Sequence, residues 1–387
     1  MEPENEPVAP GSESSDGMPE VLVYSGPPAT KPEDSYRGLK WVFIGDQGLR
    51  AGWSVALFLI LFFAIASGLG ALFARLHLVS GGRSEFTPKS AFFGELVAVL
   101  AMLGAASVVA LIERRGILDY NLVGPRRGRH YASGLMVGFV ALSALIGALA
   151  GGGWLHFGPV ALSGSHIFTY AAFWGCVFIL VGFLEEGVMR CFLLFTLARG
   201  INFWWAAGLI GAMCLRLVTH AKGNGTLGVY LIALIGLIPC LMLHLKRSPS
   251  AGFWQAAWVT STFFGFGHTG NNGENWIGIF AAAAIGFVFC VSVWVTGTAW
   301  WAIGCHTAWD WAETYFYGAA DSGNVATGHY LTTTLGGNPL WSGGADGPEG
   351  SLLVLPIILS LLALLLVFYR RPALAAMPAA TAEQPAS

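Results

Sequence analysis

Two glutamates and an arginine interrupt a long apolar run near the middle of the chain. They lie in the stretch FLEEGVMRCF, as Glu185, Glu186 and Arg190. On a helix, Glu186 and Arg190 are four residues apart and share one face, so they can form an ion pair. Glu185 lies about 100° around the helix from Glu186 and has no such partner. The motif therefore predicts either a structural ion pair with one spare acid, or an acid that takes a proton from water.

Two further apolar stretches carry histidines. In FFGFGH, Phe264 precedes His268 by four residues, and in GCHTAWDWAE, His306 precedes Asp310 by four and Glu313 by seven. At these spacings, the side chains of His306, Asp310 and Glu313 share one face of a regular helix. A carboxylate one turn from an imidazole can hold the ring and set its tautomer, as in catalytic and metal sites. The alternative for each histidine is a buried, hydrogen-bonded group without a role in chemistry.

Taken together, these acids and histidines match what peptide hydrolysis requires. One group activates water, and others stabilise the oxyanion of the tetrahedral intermediate. Serine and zincin chemistry have no comparable signal, because neither GxSxG nor HExxH occurs in the chain.

The composition predicts that these residues lie inside a membrane protein. Apolar residues make up 55% of the 387 residues and charged residues only 11%, whereas a soluble protein carries about 25% charged residues. Charges inside a bilayer cost roughly 2.5–3.5 kcal/mol each and usually face a protected interior. We therefore predict an all-α, polytopic transmembrane helical bundle of about 8–10 helices. The chain has no dense basic patch of the kind that binds nucleic acid.

Ten apolar segments are long enough to be helices of this bundle. They lie near Ala51–Leu76, Ser90–Ile112, Tyr131–Gly151, Phe168–Leu197, Phe203–Thr219, Leu227–Leu245, Phe253–Gly267, Trp276–Val295, Ala299–Tyr317 and Ser351–Tyr369. Residues 1–36 are predicted to be a disordered acidic tail and residues 372–387 a second disordered tail. The membrane domain between them, residues 37–371, holds the motifs in a core at 168–317.

Basic residues predict the orientation of the chain. Arginine and lysine clusters at 114–129, 246–247 and 370–371 fall on one side of a ten-helix arrangement, together with the N-terminus. The positive-inside rule places that side in the cytoplasm. We expect an integral protein of a bacterial cytoplasmic membrane.

The three motifs, in this order, resemble those of the CAAX protease and bacteriocin-processing family. These are intramembrane endopeptidases related to the enzyme that trims prenylated CAAX tails, and their signature is EExxxR, then FxxxH, then HxxxN/D. Here the motifs read EEGVMR, FGFGH and HTAWD. The likeness extends from about Phe168 to Tyr317, with a weaker echo in GPEGSLLVLPIIL.

The resemblance implies a role for each motif residue. Glu185 matches the glutamate that activates the attacking water, and His268 matches the histidine that helps to hold that water. His306 and Asp310 match the pair that faces the developing oxyanion, and the other two ionisable residues of the first motif match supporting positions. The implied substrate is a membrane-associated peptide or protein segment, presented in or at the lipid bilayer.

Two features depart from the family pattern. The interval between the first two motifs has room for two extra helices, which carry Arg216, His220 and His244, and we expect Arg216 and His220 to lie outside the site. The third motif ends in Asp310 rather than asparagine. Because an ionised aspartate cannot donate a hydrogen bond, either His306 donates to the oxyanion while Asp310 orients it, or Asp310 is protonated.

Three other functions remain open from the sequence. Glu185, His268 and His306 could bind zinc in a metalloendopeptidase, although no cofactor is certain. A transporter could use buried acids as a proton relay. A membrane scaffold or immunity protein could bind peptides without cutting them. A transporter often shows a repeat between its two halves, and none is visible here.

Overall fold

The computed structural model describes most of the chain between the two predicted tails. The described residues are 40–45, 48–78, 86–220 and 225–369, without the side chains of residues 40, 41, 218–220, 225–230 and 232. Both predicted tails, residues 1–36 and 372–387, lie outside them, so their predicted disorder stays a prediction.

The protein is an all-α bundle, as predicted. Its elements are α1 Lys40–Phe43, β1 Ile44–Gly45, β2 Gly48–Leu49, α2 Ala51–Arg75, α3 Pro88–Ile112, α4 Arg127–Gly151, β3 Leu155–Val160, α5 Ser165–Glu186, α6 Leu194–Ala198, α7 Phe203–His220, α8 Gly225–Leu245, α9 Ala251–Gly267, α10 Trp276–Thr296, α11 Trp300–Asp310, β4 Leu331–Leu335, α12 Pro339–Ser342 and α13 Val354–Phe368. Two π-helices, Gly187–Leu193 and Trp311–Tyr317, continue α5 and α11. Each of the ten predicted apolar segments contains one of the long helices.

Five helical stretches in the described ranges are long and apolar enough to cross a membrane. They are α2, α3, α4, the continuous stretch Ser165–Ala198 that contains α5 and α6, and α10. Shorter apolar helices at Phe203–Leu217, Ala233–Leu245 and Val354–Phe368 pack beside them. This protein is an integral membrane protein.

Local sequence signals set the ends of two helices that later line the site. The Thr87 hydroxyl accepts from the backbone N–H of Ser90 at 3.2 Å and caps α3. The Asn275 side chain accepts from the backbone N–H of Ile277 at 2.8 Å and caps α10. α10 ends at Gly297, whose φ of 77° is left-handed and suits glycine.

Contacts between connecting segments define two opposite faces of the bundle. On the loop face (residues 152–164, 268–275 and 318–350), strands β3 and β4 pair antiparallel. On the basic face (residues 113–127, 199–202 and 246–251), Arg199 and Glu113 form an ion pair of 3.0 Å. Two of the predicted arginine and lysine clusters fall on the basic face, and the third lies outside the described residues.

Helix α11, which carries the third motif, packs very closely against α4. A methyl group at Gly138 would lie 2.1 Å from the carbonyl oxygen of Cys305, and one at Gly304 would lie 2.3 Å from that of Tyr131. On the other side, a methyl group at Gly182 of α5 would lie 2.6 Å from the Thr307 hydroxyl. Small residues at helix contacts let backbones approach in this way in membrane proteins. The glycines therefore hold α11 between α4 and α5.

We expect Gly138→Ala to destabilise the protein, because the added methyl group overlaps the backbone of α11. Overpacking of this kind costs about 1–3 kcal/mol. The matched control is Gly147→Ala on the same helix, where nothing lies within 4 Å of the added methyl group. Thermal unfolding in detergent should show a lower melting temperature for Gly138→Ala only. Equal melting temperatures for the two variants would contradict the close packing of α4 and α11.

Candidate active site

A cavity of about 570 Å³ lies between the helices that carry the three motifs. Side chains from α3, α5, α9, α10 and α11 line it, together with the connection between α11 and α13. Among the described residues that line it, seven are acidic and none is lysine or arginine. The acids are Glu95, Glu185, Glu274, Asp310, Asp321, Asp346 and Glu349. His268 and His306 are on the same lining.

The two adjacent glutamates of the first motif have different environments. The Glu186 side chain is 0% exposed and pairs with Arg190, which is also 0% exposed. Arg190 Nη1 donates to Glu186 Oε1 at 3.2 Å, and Arg190 Nε lies 3.2 Å from Oε2. Glu185, by contrast, is 37% exposed and lines the cavity. The predicted division into one paired and one cavity-facing acid is present in the structure.

His306 joins the first motif to the third. Its Nδ1 lies 2.9 Å from Glu186 Oε1, and since an ionised carboxylate only accepts, Nδ1–H is the donor. Its Nε2 lies 3.4 Å from Asp310 Oδ2 and 3.8 Å from Glu185 Oε2. The Asp310 contact was expected, whereas the contact to Glu186 was not. Glu186 therefore orients the ring, and Nε2 is the nitrogen turned toward the other two acids.

The second motif serves both the ion pair and the cavity. The Phe264 ring lies beneath the Arg190 guanidinium, whose carbon is 4.5 Å from the ring centre, in a cation–π contact. The Phe264 carbonyl accepts a hydrogen bond of 2.8 Å from His268 Nδ1. Because a carbonyl cannot donate, this bond places the proton of His268 on Nδ1 and leaves Nε2 as an acceptor. The spacing FxxxH thus places Phe264 against Arg190 and lets the Phe264 carbonyl hold the His268 ring one helical turn later.

Both motif helices change to π-helices beside the site. The first change comes directly after Glu186 and the second directly after Asp310. Single π-turns are frequent at functional sites, and they rotate the following side chains away from the regular helical pattern. Glu313, expected on the same helix face as His306, lies instead near Asp321 and Glu349. A sequence argument based on 3.6 residues per turn cannot show this rotation.

Several acids of the cavity were not singled out from the sequence. On the loop face, burial and the nearby Glu349 raise the pKa of Glu274 to about 7. Burial and the nearby Glu274 raise the pKa of Asp346 to about 8. Trp309 Nε1 donates to Glu349 at 2.9 Å and holds it at the cavity wall. The available signal was the stretch GADGPEG, in which acids sit between glycines just before an apolar segment.

Two of the ionisable residues on the extra helices, Arg216 and His244, lie apart from these residues. Arg216 is exposed on α7 and is not among the cavity residues. The side chain of His220 lies outside the described residues. His244 stacks on Phe203, with ring centres 5.2 Å apart, beside a different depression of the surface.

Comparison with known proteins finds a family model that matches part of the chain. Residues 240–312 match the family model of the type II CAAX prenyl endopeptidase Rce1-like proteins. This match confirms the predicted likeness to the CAAX protease and bacteriocin-processing family. It contains the second and third motifs, while the first motif lies outside it. No curated protein and no solved structure gives a significant match. This partial match supports an activity of the CAAX-type intramembrane protease kind.

We expect Arg190→Ala to unfold more easily than the unmodified protein by about 3–5 kcal/mol, because the buried Glu186 loses its arginine and keeps only the hydrogen bond from His306. Its matched control is Arg199→Ala on the basic face. Arg199→Ala should lower the free energy of unfolding by less, because Glu113 keeps its second ion pair, with Arg115 at 2.8 Å. Chemical denaturation in detergent measures both. Wild-type stability of Arg190→Ala would show that the ion pair is dispensable.

Proposed function

We propose that this protein is an intramembrane endopeptidase that hydrolyses peptide bonds of membrane-associated peptides or proteins. One observation carries the proposal. The cavity-facing carboxylate of Glu185 lies 3.8 Å from His306 Nε2, while the buried Glu186 holds the same ring through Nδ1. The acid that we propose to activate water and an oriented imidazole thus line the same cavity.

In the proposed reaction, Glu185 takes a proton from a water molecule as the water oxygen attacks the peptide carbonyl. His268 Nε2, which is free to accept, helps to hold that water. The new C–O bond gives a tetrahedral intermediate, whose oxyanion accepts a hydrogen bond from His306 Nε2–H. When the C–N bond breaks, Glu185 returns the proton to the leaving amine. Such proton transfers contribute typically 10²–10⁴-fold to a rate.

Asp310 supports the hydrogen bond that His306 donates to the oxyanion. Its carboxylate lies 3.4 Å from His306 Nε2, so it stabilises the protonated ring until the substrate oxygen replaces it as the acceptor. In this proposal His306 donates to the oxyanion and Asp310 only accepts, so the inability of an ionised aspartate to donate is no obstacle. Glu186 and Arg190 position the ring and do not touch the substrate.

A zinc-dependent version of the same site is the first alternative. Both histidines have Nδ1 held, His268 by a carbonyl and His306 by a carboxylate, which leaves Nε2 available. Outer partners of this kind are typical of zinc ligands, and Glu185 would be the third ligand. The ligand atoms of Glu185, His268 and His306 do not all lie within 4.8 Å of one another, however, so the three side chains would have to move closer to hold one ion. Metal analysis of the purified protein separates the two mechanisms. A transporter or a non-cutting scaffold or immunity protein would show no cleavage with or without metal.

The arrangement of basic residues supports an orientation. We place the basic face and the N-terminus in the cytoplasm of a bacterial inner membrane. His268, Glu274 and Asp346 then lie toward the opposite side, because the loop face carries them. The protease domain would comprise residues 37–371.

The charge of the cavity indicates which substrates fit it. Seven carboxylates line it, and no lysine or arginine is among the described lining residues. Burial and neighbouring acids raise the pKa of Glu274 to about 7 and that of Asp346 to about 8. A cationic side chain near the scissile bond would favour the ionised form of such acids and pair with it, whereas an acidic side chain would be repelled by it. We propose that the substrates carry basic residues next to the bond that is cut.

We expect Glu185→Gln to abolish cleavage without loss of stability, because Gln keeps the shape of the side chain but cannot take the proton. The adjacent change Glu186→Gln should lower both activity and stability, since it weakens the contacts to Arg190 and His306. Turnover of a validated substrate and melting in detergent distinguish the two variants. A well-folded Glu185→Gln protein with full activity would refute the mechanism.

We also expect matched peptides with lysine beside the scissile bond to be cut roughly tenfold faster than those with glutamate, in the range of electrostatic effects on association. Added salt should reduce the difference. Glu274→Gln should reduce the difference in cleavage rate between the two peptides, whereas Lys246→Ala on the basic face should leave it unchanged. A preference for the acidic peptide would contradict the assignment.

A further inference from the structure

A second group of acids lies beside the cavity, at the junction of three chain segments. Glu313 comes from the π-helix after α11, Asp321 from the connection that follows, and Glu349 from the turn before α13. One carboxylate oxygen from each residue lies within 4.8 Å of the other two. Three consecutive parts of the chain between residues 313 and 349 thus direct acids at one point.

Glu313 has no partner of its own in the described part of the chain. Its side chain is 0% exposed, and neither carboxylate oxygen has a hydrogen-bond partner there. The other two acids are each held by one neutral donor, Asp321 by the Thr314 hydroxyl at 2.7 Å and Glu349 by Trp309 Nε1 at 2.9 Å. A buried charge without compensation is costly, so native structures pair it or use it to coordinate a metal ion.

Within the described residues, the ion pairs that arginines form with Glu113 and Glu186 do not extend to any of these three acids. Glu313 is buried, both of its carboxylate oxygens lack a hydrogen-bond partner in the part of the chain that the structure describes, and one of them lies near two other carboxylates. This is the arrangement expected of metal ligands around an ion.

We propose that Glu313, Asp321 and Glu349 form a binding site for a hard divalent cation of the calcium type. All three ligands are carboxylate oxygens, which calcium, magnesium and manganese prefer. Neither histidine nor cysteine belongs to the set, so the site differs in kind from the zinc site considered for Glu185, His268 and His306. Calcium takes 6–8 oxygen ligands, and backbone carbonyls or water can supply the remainder.

The cation would fix the outer wall of the cavity. Asp321 and Glu349 also line the cavity, whereas Glu313 lies behind it. Binding would therefore hold the loop-face connection and the start of α13 against the helix that carries His306. The π-helix after Asp310 makes this possible, because it turns Glu313 away from the histidine and toward the loop face.

Thermal unfolding of the purified full-length protein in detergent tests the site. After treatment with EDTA, addition of Ca²⁺ should raise the melting temperature by roughly 5 °C or more at saturation, as expected for a ligand that binds only the folded state. Glu313→Gln should abolish the rise. Asp321→Asn, which keeps an acceptor for the Thr314 hydroxyl, provides a second variant should Glu313→Gln fail to fold.

Two matched controls locate the effect. Asp346→Asn lies on the same connection but outside the three acids, and it should keep the Ca²⁺ response. Glu185→Gln should also keep it while losing cleavage, so that a failure of the proposed protease mechanism and a failure of the cation site are separable. A response to Mg²⁺ or Mn²⁺ in addition to Ca²⁺ supports the site.

Three outcomes would overturn the proposal. The first is an unmodified protein whose melting temperature does not respond to Ca²⁺, Mg²⁺ or Mn²⁺. The second is a response to Zn²⁺ alone. The third is a Ca²⁺ response that persists in the folded Glu313→Gln and Asp321→Asn variants, or that Asp346→Asn removes.

Discussion

The carboxylate of Glu186 joins the two helices on which the candidate site depends. It is fully buried, and one of its oxygens accepts hydrogen bonds from both Arg190 and His306. Its charge is balanced inside the protein rather than by solvent, so its partners cannot move independently. Through the cation–π contact of Arg190 with Phe264, the same interaction extends to α9. One buried anion therefore aligns parts of all three motifs.

This buried network explains how neighbouring residues of one type have different roles. Glu185 and Glu186 differ by one position, yet one is 37% exposed in the cavity and the other is sealed. Glu186 stabilises the arrangement because it is fully paired. Glu185 is partly exposed and has His306 as its neighbour at 3.8 Å. About 100° of helix rotation thus separates a fully paired carboxylate from one that faces the cavity.

Backbone geometry then decides which acids reach the cavity. Close contacts at Gly138 and Gly304 bring α11 near α4, and the π-helices beside the motifs redirect the residues that follow. The acids of the loop face complete the lining, since the connection between α11 and α13 folds back over the ends of the helices. As a result, the cavity is strongly acidic although the chain carries a formal net charge of only -2.

The sequence by itself determined the elements and the local pairs. Continuous apolar segments predicted ten helices of the described chain, because a helix satisfies its backbone hydrogen bonds internally where water is scarce. The spacing of four residues predicted the pairing of Glu186 with Arg190 and of His306 with Asp310, because one helical turn brings such side chains together. The ordered motifs also indicated the family. Only the tertiary structure placed Glu186 against His306, 120 residues away, and turned Glu313 toward Asp321 and Glu349. Those contacts depend on helix packing and on π-turns, and neither leaves a regular period in the sequence.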